Sequence, residues 1–253
     1  MSVLLNGDCL EQLSNVDDNS VDFIFCDLPY GQTSCKWDII IPWEPFWKEI
    51  MRVKKLNTPV FFTTTTKFGV QLINSAPKKM PFRYDLVWVK SAPAGFLQSR
   101  KMPMRKHEMV YAFYEKLPLY DLSSHQHKFL NKEEPVKEEG SINNYKAKRI
   151  IYTDEDGNKI KEGQSGPNQT KYDPPLPTTM LEIKSTRGKH STEKPVALME
   201  WLLKYYSKEG DTVLDPTMGS GSTGVACKNM KRNFIGIEKD PDIYQVAVNR
   251  IED

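Results

Sequence analysis

The feature that most constrains the fold is a series of short apolar runs without polar alternation. Strands that are covered on both faces have this pattern, whereas half-exposed strands alternate apolar and polar residues. The runs are VDFIFC (Val21 to Cys26), PVFFTT (Pro59 to Thr64), DLVWV (Asp85 to Val89), EMVYAF (Glu108 to Phe113), TVL (Thr212 to Leu214) and NFIGI, which begins at Asn233. They predict a mostly parallel sheet that is buried on both faces.

Amphipathic stretches between these runs supply the helices. The segment PWEPFWKEIMRV places four apolar side chains on one side of a helix, namely Phe46, Trp47, Ile50 and Val53. The segment KPVALMEWLLKYY has similar spacing, and Pro195 suits its first turn. The alternation of strands and helices predicts an α/β fold with a doubly wound sheet.

The alternation stops between residues 116 and 183. This segment contains charge clusters such as KEEPVKEEG, a predicted hairpin turn in YTDEDGNKI and the polar stretch KEGQSGPNQTKYDPPLP. We expect an insertion outside the sheet, either a solvated loop or a recognition element on a rigid scaffold. The predicted divisions are residues 1–115, the inserted region 116–183 and residues 184–253.

The composition is that of a globular protein with reduced thiols. A chain of 253 residues with 39% hydrophobic content suits one α/β domain with an appended piece, and a net charge of +2 neither requires nor excludes nucleic acid. The cysteines lack C-x-x-C spacing; they are Cys9, Cys26, Cys35 and Cys227. We read no leader and no membrane-length apolar run, and we expect a cytoplasmic protein that contacts no membrane.

A glycine-rich loop, DPTMGSGSTG, follows the TVL run. Gly219, Gly221 and Gly224 match the dinucleotide pattern G-x-G-x-x-G. Four residues separate the run from the first glycine, however, and Asp215 brings a carboxylate to the place where a phosphate would bind. A P-loop requires lysine where Val225 stands. The loop therefore favours a ligand with a positive group and no phosphate.

A second acidic residue supports a nucleoside ligand. The NFIGI run ends in Glu238, about 20 residues beyond the glycines, where a carboxylate can bind both ribose hydroxyls. Ribose without phosphate is the ligand that these residues indicate. Two alternatives stay open on this evidence alone, an ordinary strand-to-helix turn and an NAD-dependent oxidoreductase.

The tetrapeptide DLPY, Asp27 to Tyr30, ends the first buried run. Ligands of open α/β sheets bind at the carboxyl ends of strands, so DLPY and the glycine loop should share one rim. Together they resemble the amino-group methyltransferases of DNA that use S-adenosylmethionine, whose catalytic motif is (D/N/S)-P-P-(Y/F/W). Because DLPY comes first, the order resembles the permuted β group, with a Rossmann-like methyltransferase fold and a target-recognition insertion between its halves.

The resemblance extends over residues 3–113 and 188–251. NGDCLEQL resembles the opening motif of the family and implies that Asp8 meets the cofactor adenine. HSTEKP resembles H-P-T-E-K-P and implies that His190, Lys194 and Pro195 line the methionine end, with Lys194 near the methionine carboxylate. S-adenosylmethionine has a ribose, an ammonium and a sulfonium but no phosphate. The other implied cofactor residues are Asp215, Thr217, Gly219, Gly221 and Glu238.

Three positions depart from the family pattern. Leu28 replaces the usual first proline and Ser191 replaces another, while Thr217 stands where the family often has phenylalanine. Leu28 still offers its backbone carbonyl, so we expect rigidity to change more than chemistry. We expect weaker packing around Thr217.

The resemblance implies methylation of the N6 amino group of adenine in double-stranded DNA. An aromatic amine is a poor nucleophile, so acceptors for its N–H groups and in-line positioning must supply the rate. The implied catalytic residues are Asp27 and the Leu28 carbonyl as acceptors, Pro29 as part of the motif, and Tyr30, which stacks on a flipped base. No metal is required. N4 methylation of cytosine by the same site and an inactive DNA-binding subunit stay open.

Basic residues supply candidate DNA contacts. The densest cluster contains Arg100, Lys101, Arg105, Lys106 and His107, and the alternative is a solvated basic loop. By analogy with the family, base recognition is assigned to the insertion, including Lys146, Lys148 and Arg149. A homodimer stays open, and a bacterium or a bacterial virus is the expected source.

Overall fold

The structure is a computed structural model that describes residues 1–32, 38–127, 136–137, 150–151, 172–185 and 193–252. The strands are β1 (Ser2–Asn6), β2 (Phe23–Cys26), β3 (Val60–Thr64), β4 (Phe82–Ala94), β5 (Arg105–Phe113), β6 (Gln126–His127), β7 (Val136–Lys137), β8 (Ile150–Ile151), β9 (Tyr172–Asp173), β10 (Met180–Leu181), β11 (Thr212–Asp215) and β12 (Asn233–Glu238). The helices are α1 (Cys9–Gln12), α2 (Trp43–Val53), α3 (Thr66–Ser75), α4 (Val196–Tyr206), α5 (Ser222–Asn229) and α6 (Pro241–Glu252).

Eight strands form one mostly parallel sheet, in the order β1-β12-β11-β2-β3-β5-β4-β10. Strand β5 runs antiparallel to both of its neighbours, β3 and β4, and the remaining pairs are parallel. The central register places Leu214 beside Ile24 and Ile24 beside Val60. Strands β2 and β3 are buried throughout, as their continuous apolar runs predict.

Helices pack on both faces of this sheet, which confirms the doubly wound α/β prediction. On one face, Phe46, Trp47, Ile50 and Val53 of α2 lie in the same buried cluster as strand residues such as Phe62. On the other face, the ring of Phe61 lies 4.8 Å from the ring of Tyr206 in α4. Neighbouring residues of β3 therefore point to opposite layers.

The chain divides into two compact units. The large unit comprises Met1–Asp121 and Thr179–Asp253 and contains the main sheet and the six helices. The small unit, Leu122–Thr178, contains two short antiparallel ladders, one between β6 and β9 and one between β7 and β8. Within it, His125 Nδ1 lies 2.8 Å from the carbonyl oxygen of Pro174.

The prediction that residues 116–183 lie outside the sheet is wrong at residues 180–181. Residues Met180–Leu181 pair in parallel with β4 and extend the main sheet, and the ladders of the small unit fall within the same segment. A strand of two residues is too short to produce a recognisable hydrophobic period in the sequence. The hairpin predicted in YTDEDGNKI, at residues 152–160, lies outside the described residues, as does Cys35.

Candidate active site

Four neighbouring parallel strands end at one edge of the sheet, and their loops are joined by hydrogen bonds. After β1, the Gly7 amide donates to the Glu238 carbonyl at 3.0 Å. After β11, the Gly219 amide donates to Glu238 Oε2 at 3.1 Å. Thr217 Oγ1 donates to the carbonyl oxygen of Asp27, which follows β2, at 3.2 Å. This edge brings together the DLPY motif and the glycine loop.

Asp27 accepts from three side chains. Lys194 Nζ lies 2.7 Å from its Oδ2 atom, while the hydroxyls of Thr63 and Tyr30 donate to Oδ1, the Tyr30 bond measuring 3.2 Å. Lys194 and Pro195 directly precede α4, so the start of this helix places the ammonium at the catalytic edge. The side chain of Asp27 remains 27% exposed, which leaves it accessible from the rim.

Both the ring and the hydroxyl group of Tyr30 have fixed contacts. Its ring packs against Phe68 of α3 with a centroid distance of 4.9 Å. Its hydroxyl lies 3.1 Å from Glu108 Oε1 and 3.2 Å from Asp27 Oδ1, so its single proton can be donated to either carboxylate. Burial, followed by these two carboxylates, raises the pKa of the Tyr30 phenol well above its usual value. Tyr30 is therefore a neutral aromatic donor.

Glu108 is a site residue that the sequence did not identify. It lies near the start of β5, is buried, and contacts Lys90 Nζ at 2.6 Å and Lys194 Nζ at 3.2 Å. Burial disfavours its charged form, but the two lysines outweigh burial and lower the pKa of Glu108 below the ordinary value. A charged residue inside the EMVYAF run was the available signal, since buried charges need partners.

Lys194 completes this network of two carboxylates and two lysines. Burial acts against the Lys194 ammonium, yet Asp27 and Glu108 together raise the pKa of Lys194 above its ordinary value. The negative charges of the two carboxylates, Asp27 and Glu108, are thus balanced by the positive charges of Lys194 and Lys90.

Asp215, at the end of β11, has a different environment. It is 2% exposed and accepts from the Thr217 amide at 3.1 Å and from Thr223 Oγ1 at 2.6 Å. Burial raises the pKa of Asp215 to about 7, although both of these hydrogen bonds act in the opposite direction. Among the described residues, no lysine or arginine forms an ion pair with it.

The three glycines of the loop have distinct structural roles. Gly219 and Gly221 adopt left-handed φ values of +52° and +84°, which favour glycine, and the surroundings of Gly219 are open on the side where a Cβ would project. A Cβ on Gly224 would instead lie 2.3 Å from Ile251 and 2.7 Å from Phe234. Gly224 therefore permits close packing of α5, and Gly219 leaves room beside the loop.

Glu238 ends β12, the strand beside β11, and Asp8 follows β1, the next strand of the sheet. Glu238 accepts from the Gly219 and Asp240 amides, and burial raises the pKa of its carboxyl group. Asp8 caps α1 through the Leu10 amide at 3.0 Å and pairs with Lys239 at 3.1 Å. Both side chains are partly exposed at the carboxyl edge.

The chemistry of these residues fits S-adenosylmethionine. The loop combines a buried carboxylate that lacks a described cationic partner with an open space at Gly219, and the buried Ser222 hydroxyl has no hydrogen-bond partner in the part of the chain that the structure describes. A cationic, phosphate-free nucleoside supplies the charge that Asp215 lacks. Leu28 is buried in the core, so this departure from the motif contributes apolar packing.

The basic cluster lies on the hairpin between β4 and β5, which rises from the same edge. The cluster residues Arg100, Lys101, Arg105 and Lys106 are all exposed. The hairpin tip also exposes Phe96 by 78% and Leu97 by 97%. Its base is joined to the catalytic motif through the pair formed by Lys90 and Glu108.

Several predicted residues fall outside the described ranges: His190, Ser191, Lys146, Lys148 and Arg149. Within the described ranges, no group of histidine, cysteine, aspartate or glutamate residues could bind a metal ion. No described helix is both long and apolar enough to cross a membrane. Cys9, Cys26 and Cys227 are buried free thiols.

Similarity to solved structures supports the observed fold. M1.HpyAVI in complex with SAM is 23% identical, with a TM-score of 0.61 and coverage of 99% of this chain and 100% of the other. The PvuII DNA methyltransferase, described as cytosine-N4-specific, is 14% identical with a TM-score of 0.65, covering 100% and 86% respectively. The shared property is the fold.

Similarity in sequence identifies the family. Two curated relatives are each 25% identical: type II methyltransferase M.HinfI of Haemophilus influenzae, with coverage of 100% of this chain and 69% of the relative, and M2.DpnII of Streptococcus pneumoniae, with 99% and 89%. The profile of the DNA methylase family matches residues 21–249, nearly the whole chain. The chain therefore belongs to this family, the S-adenosylmethionine-dependent DNA methyltransferases of the N6/N4 class.

Proposed function

We propose that this protein methylates the N6 amino group of adenine in double-stranded DNA. The observation that carries the proposal is the position of Asp27, beside Tyr30 and hydrogen-bonded through its backbone to the cofactor loop. A carboxylate acceptor, an aromatic ring and a loop suited to the methyl donor thus meet at one edge. Aspartate as the first residue of DLPY resembles adenine enzymes and favours adenine over cytosine.

In the proposed reaction, Asp27 and the Leu28 carbonyl accept from the two N–H groups of the target amine. These acceptors favour a more tetrahedral nitrogen whose lone pair is available for attack, and positioning supplies much of the rate. Tyr30 stacks on the flipped base, and Pro29 completes the motif. When bound, S-adenosylmethionine supplies the electrophilic methyl group. The proton lost by the amine passes to the Asp27 carboxylate, which accepts its hydrogen bond, and from there to solvent.

We assign the cofactor to the loops after β1, β11 and β12. Asp215 would pair with a positive group of the cofactor, Gly219 and Gly221 would shape the loop, and Thr217 would join it to Asp27. Glu238 would bind the ribose hydroxyls and Asp8 the adenine. Family resemblance adds His190, Pro195 and Lys194, although the contacts of Lys194 with Asp27 and Glu108 favour a different role, developed below.

DNA contacts are assigned to the basic hairpin, with base recognition assigned to residues 116–183. Arg105 and Lys106 are exposed, and they lie two to three residues before Glu108, which contacts the catalytic motif. Replacing both with glutamine should weaken DNA binding and reduce the slope of log affinity against log salt by about 2. Fluorescence anisotropy at several salt concentrations measures this slope. An unchanged slope would move the phosphate contacts elsewhere.

Methylation of cytosine N4 is the second candidate, because a neighbour with the same fold is described as cytosine-N4-specific. We retain the permuted β group, a role in restriction-modification and a cytoplasmic bacterial or phage protein as predictions. The type II names of the relatives M.HinfI and M2.DpnII support that role. A homodimer stays an open prediction, which analytical ultracentrifugation would test.

The decisive experiment is incubation with tritiated-methyl S-adenosylmethionine and mixed-sequence duplex DNA, followed by nucleoside digestion and chromatography. Label in N6-methyladenine is expected. Label in N4-methylcytosine would keep the mechanism and change the base. Cofactor binding without any labelled nucleoside would contradict DNA methylation by the isolated chain.

A further inference from the structure

We infer that the Lys194 ammonium occupies the place at Asp27 that the target amino group takes during the reaction, and that Glu108 receives Lys194 when the base enters. This inference rests on the proposed function and deepens it. Lys194 becomes a placeholder for the substrate, and Glu108 becomes a positioning residue that does not touch the base.

The first support is the occupancy of the Asp27 carboxylate. Its Oδ1 atom already accepts from Thr63 and Tyr30, two residues of the rigid scaffold. Its Oδ2 atom accepts from Lys194 Nζ at 2.7 Å. A target amine that approaches the less crowded oxygen, Oδ2, meets the Lys194 ammonium there, and the flexible lysine is the donor that can move.

The second support is chemical similarity between the two nitrogen donors. Both the lysine ammonium and an exocyclic amine present N–H groups to a carboxylate oxygen. The charged donor forms the stronger bond, so a neutral amine competes poorly unless the ammonium has another anionic partner within reach. Glu108 Oε1 lies 3.2 Å from the same Lys194 nitrogen. A small movement of the side chain toward Glu108 thus frees Oδ2 while preserving an ion pair.

The third support is the anchoring of Glu108. Lys90 Nζ contacts its other oxygen, Oε2, at 2.6 Å, and the Tyr30 hydroxyl lies 3.1 Å from Oε1. The Glu108 and Lys194 side chains are only 10% and 12% exposed. At this burial an ammonium without a counter-charge is costly, so Lys194 needs a fixed carboxylate before it can leave Asp27.

The inference predicts an unusual mutational pattern. In Glu108→Gln, Lys194 keeps only Asp27 as an anionic partner and competes more strongly with the amine, so kcat/KM should fall about 10- to 100-fold. Adding Lys194→Met to this variant removes the competitor. The double variant should recover at least about tenfold over Glu108→Gln alone, whereas two independent structural losses would add.

Binding measurements separate competition from general damage. Wild type and Glu108→Gln should bind equally to a duplex with purine at the target position, because purine lacks the amino group. Glu108→Gln should bind the adenine duplex more weakly than wild type does. The recognised site is first mapped from methylated DNA of cells that express the protein. Glu108→Asp, which keeps the charge, provides a second variant if Glu108→Gln does not fold.

A matched control is available at the opposite edge of the sheet. The buried Lys54 pairs at 2.7 Å with Glu115, which is partly exposed, and Lys54 lies beside Val21 just before β2. Lys54→Met and Glu115→Gln repeat the same chemical changes away from the site. Their combination should show no rescue of kcat/KM.

The outcome also distinguishes this role of Lys194 from binding of the cofactor carboxylate. Lys194→Met should keep its S-adenosylmethionine affinity within about threefold of wild type, as measured by calorimetry without DNA. A tenfold or greater loss of that affinity, or a double variant no better than Glu108→Gln, overturns the inference. An inactive wild-type protein contradicts the proposed function itself, whereas an active wild type without rescue overturns only the placeholder role.

Discussion

Asp27 follows β2 and Asp215 ends the neighbouring parallel strand β11, yet only Asp27 has a charged partner among the residues that the structure describes. Asp27 faces the Lys194 ammonium at 2.7 Å. Asp215 is buried among hydroxyl and amide donors, without a cationic partner among the residues that the structure describes. Each environment complements its proposed ligand, because the target base brings a neutral amine to Asp27 and the cofactor brings positive charge to Asp215.

The largest effect that this comparison predicts is on catalysis at Asp27. Asp27→Ala removes the proposed acceptor and should lower kcat by about 10²- to 10³-fold, as loss of a preorganised transition-state contact does. Cofactor affinity, measured by calorimetry, should stay near that of wild type. Turnover close to wild type in this variant would remove the proposed role of the carboxylate.

Asp215→Asn should produce the reverse order of damage. Losing a buried charge-assisted contact costs about 1.5–3 kcal/mol, so S-adenosylmethionine affinity should fall about 10- to 100-fold. At saturating cofactor, kcat should change little. The comparison between the two carboxylates fails if kcat falls as far as in Asp27→Ala while cofactor affinity is retained.

The raised pKa of Asp215, about 7, predicts pH-dependent cofactor binding. A cationic ligand prefers the ionised carboxylate, so binding below pH 7 must release a proton, and affinity should rise up to about tenfold from pH 6 to pH 8. Calorimetry in two buffers with different ionisation enthalpies counts the released proton. Asp215→Asn is the control, and its binding should lose most of this dependence.

Thr217→Val tests whether the two regions are coupled. The substitution keeps the shape of the side chain and removes the 3.2 Å hydrogen bond to the Asp27 carbonyl. A net loss of about 1 kcal/mol corresponds to roughly a fivefold reduction in kcat/KM. Thr223→Val is a useful comparison, because the Thr223 hydroxyl donates to Asp215 and does not contact Asp27. Equal kinetic effects of the two changes would argue against a specific link.

The smallest effect is on stability. Because the pKa of folded Asp215 is raised, its contribution to stability is present below its ordinary pKa of about 4 and is lost as pH rises through about 7. Asp215→Asn should therefore melt about 2–4 °C above wild type at pH 8 and show a smaller or reversed difference at pH 5. Thermal unfolding followed by circular dichroism measures this. A variant less stable than wild type at pH 8 would contradict the raised pKa.

The sequence predicted the central strands and the two acidic strand ends for a clear reason. Buried parallel strands are continuously apolar, so the residues that follow them, such as Asp27 and Asp215, are readily located. Glu108 and Lys194 escaped assignment to the catalytic centre. Lys194 meets Asp27 across 167 positions of sequence, and such pairing depends on strand order.

Strand direction, like strand order, cannot be predicted from local sequence. The EMVYAF run places Glu108 in a strand, but the local pattern does not show at which edge of the sheet this strand begins. Because β5 runs antiparallel to β3, its beginning lies at the edge where β3 ends. The first residues of β5, rather than its last, therefore reach the site.

The large unit forms backbone hydrogen bonds at both of its junctions with the small unit, at Asp121 and at Thr179. The Asp121 amide donates to the Tyr205 carbonyl at 2.7 Å, and the Val87 amide donates to the Thr179 carbonyl at 2.7 Å. Both ends of the excursion are thus anchored within the same scaffold, so the intervening segment can vary in length at little thermodynamic cost. We therefore expect that evolution can replace residues 122–178 without changing the catalytic residues of the large unit. The same two junctions are suitable positions for engineered replacements.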